Sequence, residues 1–210
     1  MFARSCLVAA ALAGVSAIHA TAQPGAPAGT ALENEYVRVS RNSAPCAKAA
    51  AGTCEDRVIL AMAELALTAD GKTRQMKRAE VAVFSAGQSY TMPAGGGYFE
   101  IAVKPGHPPV KAPAERIAAP KNLALFTGKT FFIYEEILPV GETRTRHSHS
   151  QRVEIRINSG PMLRQQVWRD GGVVRTEPTI VNWREPVIHI VHNMGDMPLR
   201  NFILEFIPQP

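Results

Sequence analysis

The sequence predicts an all-β protein built from two small antiparallel barrels, or jelly rolls, in tandem. Alternation of apolar and polar residues with a period of two is common along the chain, whereas helical periodicity is scarce. Two Asp-Gly dipeptides, at 70–71 and 170–171, lie between strand-like runs and are typical of tight hairpin turns. The runs also form two series that match each other at an offset of roughly 95 to 100 residues, which indicates an internal repeat of one structural unit.

The predicted strands fall on either side of a proline-rich segment. Residues 105–121 contain five prolines and are predicted to be a linker between the two units. The first series is predicted at 36–40, 57–63, 65–68, 72–76, 81–84, 89–92 and 98–104. The second is predicted at 130–137, 152–158, 162–168, 173–176, 179–183, 187–191 and 199–207.

The N-terminal segment has the features of a secretory signal peptide. Arg4 precedes an apolar run that ends at a small-x-small site, Ala20-Thr21-Ala22, so cleavage is expected after Ala22. The predicted organisation is a signal peptide at 1–22, a flexible Pro/Gly/Ala leader at 23–34, a degenerate barrel at 35–104, a linker at 105–122 and a second barrel at 123–210. The mature protein is expected to be exported, to the periplasm or the medium, and no later stretch is long and apolar enough to span a bilayer.

Export determines how the cysteines are interpreted. Cys6 leaves with the signal peptide, and Cys46 and Cys54 remain in an oxidising compartment, where a disulfide between them is the expected state. A two-cysteine metal site or a catalytic thiol is the weaker alternative, because neither residue has a histidine within ten positions.

The charge pattern argues against nucleic-acid binding. The full chain has a formal net charge of +5, but its Lys and Arg residues are scattered, without clusters or interleaved aromatic residues. At most this composition favours anionic ligands.

Comparison of the two units separates candidate chemistry from scaffold. His147 and His149 align with Gly52 and Cys54, and His189 aligns with Tyr90, so the first unit lacks all three imidazoles. A metal site is therefore predicted in the second unit alone. An arginine found in both units, Arg57 in the first and Arg152 in the second, is interpreted as structural.

The stretch 141–193 has a specific spacing. It contains a glycine, five residues, His-x-His, four residues, a glutamate and, later, His-x-x-x-Asn, at Gly141, His147, His149, Glu154, His189 and Asn193. This pattern resembles the two short motifs of the cupin superfamily. The resemblance covers nearly all of the mature chain as a two-cupin repeat, with the motifs only in the second copy, and it departs where Arg184-Glu185-Pro186 replaces the usual Pro-x-Gly. It implies a double-stranded β-helix and a divalent ion (iron, manganese, nickel or zinc) held by the three histidines and Glu154.

Glu154 raises a geometric question. Strand alternation places it on the face opposite His147 and His149, so it reaches a metal only if a bulge lies between His149 and Arg152. With a bulge, Glu154 is the fourth ligand or a general base. Without one, it is a surface carboxylate that pairs with arginines, and the site is three histidines and water.

Two functions stay open at this point. One is a metal-dependent enzyme, such as the dioxygenases and isomerases among cupins, acting on a small anionic or hydroxylated molecule. The other is a non-catalytic cupin module that binds a small ligand or a partner protein. The sequence does not decide whether the chain is an enzyme. It predicts no nucleic-acid partner and no membrane contact after signal cleavage, and a homodimer through edge strands is compatible with the fold.

Overall fold

The computed structural model describes residues 28–47, 54–93, 96–119, 122–158, 165–169, 172–174 and 179–209. Within these ranges no helix is both long and apolar enough to cross a membrane. The regular elements there are strands and one 3-10 turn at Pro45–Ala47. The strands are β1 (Gly29–Glu33), β2 (Val37–Arg41), β3 (Asp56–Ala61), β4 (Leu65–Ala69), β5 (Lys72–Met76), β6 (Val81–Phe84), β7 (Tyr90–Thr91), β8 (Tyr98–Val103), β9 (Asn122–Thr127), β10 (Phe131–Leu138), β11 (Thr143–His149), β12 (Arg152–Arg156), β13 (Gln165–Arg169), β14 (Gly172–Val174), β15 (Val181–Arg184), β16 (Val187–Asn193) and β17 (Leu199–Phe206).

The two halves of the chain have the same sheet topology. The first half forms a five-stranded sheet, β1-β2-β8-β3-β6, and a smaller sheet, β5-β4-β7. The second half forms β9-β10-β17-β12-β15 and β14-β13-β16-β11 in the equivalent order, again with antiparallel pairing. The all-β fold predicted from the sequence is confirmed. In the described ranges, β11 is the one strand of the second half without a counterpart in the first.

The main hydrophobic core lies between the two five-stranded sheets. Alternate residues of β2, β3 and β8 pack against alternate residues of β10, β12 and β17, and all of them are nearly inaccessible to solvent. The apolar face of each of these strands is therefore buried against the other half of the chain. The residues at its centre are Val37, Val39, Val58, Leu60, Phe99, Ile101, Ile133, Val153, Ile155, Phe202, Leu204 and Phe206.

The interiors of the two barrels differ. The first barrel does have one, built around Ile59, Leu67, Met76 and Phe84. The second has only a small apolar cluster at one end, which includes Leu138 and Val167. Its remaining interior is polar. The reason is that the apolar faces of β10, β12 and β17 pack outward against the first half, so the opposite faces, with their charged residues, line the barrel.

Three strands lie where the sequence predicted none. β1 occupies part of the segment expected to be a flexible leader, so that prediction is wrong from Gly29 to Glu33; backbone pairing with β2 and ion pairs from Glu33 to Arg38 and Lys104 fix the strand. β9 and β11 were also missed. β11 is mostly polar and β1 contains a glycine and a glutamate, so their local sequence carries little strand signal. β9 is mostly apolar, and its pairing with β10 decides its structure. The predicted signal peptide and the 170–171 turn lie outside the described residues.

The first predicted hairpin turn is confirmed. Asp70 and Gly71 connect β4 to β5 with φ angles of 51° and 70°. Positive φ at both positions matches the twist of the flanking strands, and Asp-Gly is a favoured pair for it.

The proline-rich linker runs along β11. No strand occurs from residue 104 to 119, and this stretch is attached to β11 by backbone and side-chain contacts. The Ser148 backbone N–H donates to the Ile117 carbonyl at 3.0 Å, and the Ile117 N–H donates to Ser148 Oγ at 2.7 Å. Arg146 pairs with Glu115 at 3.1 Å on the exposed side. The linker therefore stabilises the strand that carries two of the candidate ligands.

Candidate metal centre

The three predicted histidines converge inside the second barrel. His147 and His149 project from one face of β11, and His189 lies directly opposite His147 on β16. The two Nε2 atoms of His147 and His189 are 3.0 Å apart. Ring centroids of the three imidazoles are 4.5 to 5.1 Å apart, and one ring nitrogen from each lies within 4.8 Å of the others. Two nitrogens bound at about 2.1 Å and at a right angle to one ion are about 3 Å apart, so this spacing fits shared coordination.

Hydrogen bonds at the far ring nitrogens fix how two of the imidazoles face the centre. His147 Nδ1 lies 2.6 Å from the Thr145 carbonyl, and His149 Nδ1 lies 3.0 Å from Glu205 Oε2. A carbonyl and a carboxylate both accept hydrogen bonds, so each Nδ1 carries the proton and each Nε2 presents a lone pair. His189 Nδ1 has no hydrogen-bond partner. Metal-binding histidines typically donate a hydrogen bond from the nitrogen that does not bind the metal, as His147 and His149 do here.

Burial keeps the imidazoles neutral. Burial is the main cause of a lowered pKa for all three: that of His149 falls well below its usual range, and those of His147 and His189 also fall. The positive charge of Arg152 lowers all three further. Neutral imidazole is the form that binds a metal, so no proton has to be displaced from these rings at neutral pH.

Glu205 and Tyr134 belong to the site and were missed from the sequence. Glu205 accepts hydrogen bonds from His149 Nδ1, from the Tyr134 hydroxyl at 2.7 Å and from the Ser150 backbone N–H at 2.6 Å. Burial raises the pKa of Glu205 above its usual value, although the Ser150 and Tyr134 donors and the charge of Arg152 oppose this shift. A signal was present, because a glutamate within the apolar strand that ends the chain is unusual unless it has buried partners.

Glu154 lines the same cavity as His149 and His189, although continuous strand alternation alone would place it on the opposite face. Ser150 and Gln151 separate β11 from β12, and the two strands belong to different sheets, so alternation does not continue between them. Glu154 accepts a hydrogen bond from Arg184 Nε at 3.3 Å and lies outside the group of three histidines. Its role as fourth ligand or general base stays a prediction.

The two remaining motif residues shape the backbone. Asn193 is fully buried, donates to the carbonyls of Leu138 and Met197 at 2.9 Å, and accepts from the Gly195 N–H. It therefore closes the end of β16. Gly141 has a φ of 73°, which favours glycine, in the turn that leads into β11.

In the first barrel, other side chains occupy the position that corresponds to His189 in the second. Tyr90 pairs with Ala69 as His189 pairs with Arg169, so the alignment of Tyr90 with His189 agrees with the register. The Tyr90 hydroxyl donates to Glu100, and the Arg57 guanidinium lies 5.0 Å from the Tyr90 ring centroid. Side chains of the chain itself thus occupy that position.

Cys46 and Cys54 are free thiols in this structure, so the predicted disulfide is not formed in it. They are nevertheless neighbours, since Cys54 Sγ lies 3.5 Å from the Cys46 carbonyl oxygen. Burial, followed by the hydrogen bond with Cys54, raises the pKa of Cys46 to about 12. No histidine approaches either thiol among the contacts of the described residues, which leaves the disulfide as a prediction.

Two cavities meet at His149. A cavity of about 30 Å³ inside the barrel is lined by His149, His189, Arg152, Arg169 and Glu154, among others. An outer cleft of about 590 Å³ lies between the linker and the ends of β10 and β17, on the side where His149 Nδ1 contacts Glu205. The inner cavity borders the converging imidazoles.

Comparisons with known proteins support the fold. No protein-family model and no curated protein matches the sequence. AerE from Microcystis aeruginosa superposes with a TM-score of 0.55 at 13% identity, over 88% of this chain and 98% of that one. A cupin 2 conserved barrel domain protein from Leptotrichia buccalis gives 0.53 at 10% identity, over 89% and 92%. A variant of the salicylate 1,2-dioxygenase from Pseudoaminobacter salicylatoxidans gives 0.50 at 10% identity, over 81% and 71%. The chain therefore has the cupin fold.

Proposed function

We propose that this cupin-fold chain binds one divalent transition-metal ion through His147, His149 and His189 and uses it to act on a small polar molecule. The observation that carries the proposal is the convergence of three buried, neutral imidazoles, with the Nε2 atoms of His147 and His189 3.0 Å apart. Iron, manganese, nickel and zinc all accept imidazole ligands. Of the similar structures, one is named a salicylate 1,2-dioxygenase, which makes dioxygenase chemistry the first class to test, with isomerase chemistry next.

The chain's own residues prepare this site. When bound, the ion would supply a Lewis acid with positions open to an oxygen ligand. Glu205 orients His149 and, as a carboxylate, makes its Nε2 a stronger donor. Tyr134 holds Glu205 in place by donating a hydrogen bond from its hydroxyl to the carboxylate. The apolar contact between the two five-stranded sheets supports the opposite face of β12 and β17.

A non-catalytic binding module is the second candidate. The inner cavity of about 30 Å³ is small for an organic substrate, and the carboxylates near the histidines already have partners: Glu205 binds His149, and Glu154 binds Arg184. A metal site of the same geometry would then serve ligand capture only. Oxygen consumption by iron-loaded protein in the presence of candidate small aromatic and hydroxylated acids separates the two: turnover supports the enzyme, and binding without turnover supports the module.

Metal content is the first test, with His149→Ala as the probe variant and His192→Ala as its control. His192 lies on β16 as His189 does, but it contacts Thr143 Oγ1 at 2.8 Å and stands outside the cluster. Untagged protein should carry about one ion per chain in the wild type and in His192→Ala, and His149→Ala should lose at least about nine-tenths of it. Elemental analysis of protein with an unchanged circular dichroism spectrum measures this. A wild type without stoichiometric metal, before or after incubation with the four candidate ions, would contradict the proposal.

We also propose that the mature chain is exported, that it acts in the periplasm or the medium, and that its partner is a small molecule. The support is the N-terminal sequence, with Arg4, an apolar run and Ala20-Thr21-Ala22. The mass of the native chain tests export, because cleavage after Ala22 leaves Gln23 as the first residue.

A further inference from the structure

The cavity beside the histidines carries unpaired positive charge. Arg152, Arg169 and Arg184 all line it. Arg184 is paired with Glu154, and Glu136, another lining residue, is paired with Arg144 at 3.3 Å. Arg152 and Arg169 form no ion pair within the described part of the chain, and Arg169 Nε has no hydrogen-bond partner.

Both unpaired arginines are adjacent to the candidate metal ligands. Arg169 lies directly opposite His189 in the pairing of β13 with β16. Arg152 is almost fully buried, and its positive charge acts on all three imidazoles. Its Nη1 donates two long hydrogen bonds of 3.4 Å, to the carbonyls of Ser150 and Glu185.

Two carboxylates, Glu205 and Glu154, act electrostatically on Arg152 and Arg169, but neither forms an ion pair with them. Glu205 is opposite Arg152 in the pairing of β12 with β17, but its two oxygens are taken by His149, Tyr134 and the Ser150 N–H. A metal ion bound to the imidazoles would add further positive charge to the same interior. Buried charges of one sign are costly without partners, so this interior is best completed by an anion.

The first barrel has a counterpart for one of these two arginines. Arg57 corresponds to Arg152, and the arginine that both barrels share fits the structural role inferred from the sequence. Arg169, opposite His189, corresponds instead to Ala69, opposite Tyr90. A structural role shared by both barrels therefore does not account for Arg169.

We propose that Arg152 and Arg169 form a subsite for a small carboxylate beside the three histidines. Guanidinium groups match the two oxygens of a carboxylate, and a cavity of about 30 Å³ admits a ligand of only a few heavy atoms. The role of this subsite in substrate binding rests on the proposed function, whereas the arginine pair needs no metal to attract the anion. A bound anion should increase the affinity for the metal, and a bound metal should increase the affinity for the anion, because their opposite charges offset each other in the buried site.

The test uses metal-free protein with formate and acetate as probes. Formate should raise the melting temperature of the wild type with a saturating concentration dependence at constant ionic strength, and calorimetry should give a dissociation constant directly. Arg169→Gln should weaken formate binding about tenfold, the loss expected for one charge-assisted hydrogen bond. Arg169 is only partly buried, so this variant should keep its fold. The formate affinity of Arg169→Lys should lie between those of the wild type and Arg169→Gln, because lysine keeps the charge but lacks the planar pair of donors.

Arg146→Gln is the matched control. It removes the same charge from the exposed side of β11, where Arg146 pairs with Glu115, and it should bind formate as the wild type does. Equal formate binding by wild type, Arg169→Gln and Arg146→Gln, or no saturable binding by the wild type, would overturn the proposal. Because the protein is free of metal, formate binding in a chain that takes up no ion would refute only the metal site. A chain that takes up an ion and ignores formate would refute only the subsite.

Discussion

At the scale of single residues, the site depends on two carboxylates with different partners. Glu205 is bound to His149, and Glu154 is bound to Arg184, although both face the barrel interior. The sequence motif singles out Glu154. The structure adds Glu205, because the ring nitrogen that the metal does not use needs an acceptor, and only the folded chain brings residue 205 to residue 149.

This difference predicts unequal effects of two neutralising substitutions. Glu205→Gln should lower metal affinity about 10-fold to 100-fold, because it removes the charge that orients and strengthens His149. Glu154→Gln should cost less than about tenfold, because Arg184 already engages that carboxylate. Titration of metal-free protein with zinc, with His192→Ala as the reference, measures both. A loss for Glu154→Gln as large as that for His149→Ala would instead make Glu154 a ligand.

At the scale of elements, β11 has no counterpart among the residues of the first half that the structure describes. It carries His147 and His149, and the linker is hydrogen-bonded along it. In the first half, a 3-10 turn at Pro45–Ala47 contains Cys46, and Cys54 follows it in the chain. We expect a covalent bond there to replace the support that strand pairing provides for β11.

The cysteine pair gives a prediction at this scale. In native, exported protein the intact mass should correspond to a chain that begins at Gln23 and is two hydrogen masses lighter than its reduced form. The bond should stabilise the fold by about 2 to 3 kcal/mol, since it closes a short loop. Folded, reduced protein should reoxidise slowly in air, because burial raises the pKa of Cys46 to about 12 and leaves little thiolate. Full alkylation of both thiols in native protein without reductant would contradict this.

At the scale of the whole molecule, the two halves share one core. The apolar faces of both five-stranded sheets meet, so each half covers the other. This arrangement frees the interior of the second barrel for histidines, arginines and carboxylates. A barrel that had to supply its own core could not carry so many buried charged groups.

A shared core predicts cooperative unfolding. Phe202→Ala, at a fully buried position between the sheets, should lower the free energy of unfolding by about 3 to 5 kcal/mol and leave a single transition for the whole chain. Ile137→Ala, at an exposed position on β10, should cost about 1 kcal/mol or less. Denaturant unfolding followed by tryptophan fluorescence and circular dichroism measures both. Two separate transitions, or a loss at Phe202 no larger than at Ile137, would show that the halves are independent.

The sequence by itself determined the all-β class, the turn at Asp70-Gly71, the placement of most strands and the three histidines, because alternation, turn chemistry and motif spacing are local properties. It did not identify β1, β9 and β11 as strands and left the facing of Glu154 open, because pairing partners and the change of sheet between β11 and β12 are not local. Only the tertiary structure decided that the apolar stripes pack between the halves, that Glu205 supports His149, and that Arg152 and Arg169 lie unpaired beside the imidazoles. Those outcomes depend on which face of each strand is covered by another part of the chain, and that is settled only when all the sheets are assembled.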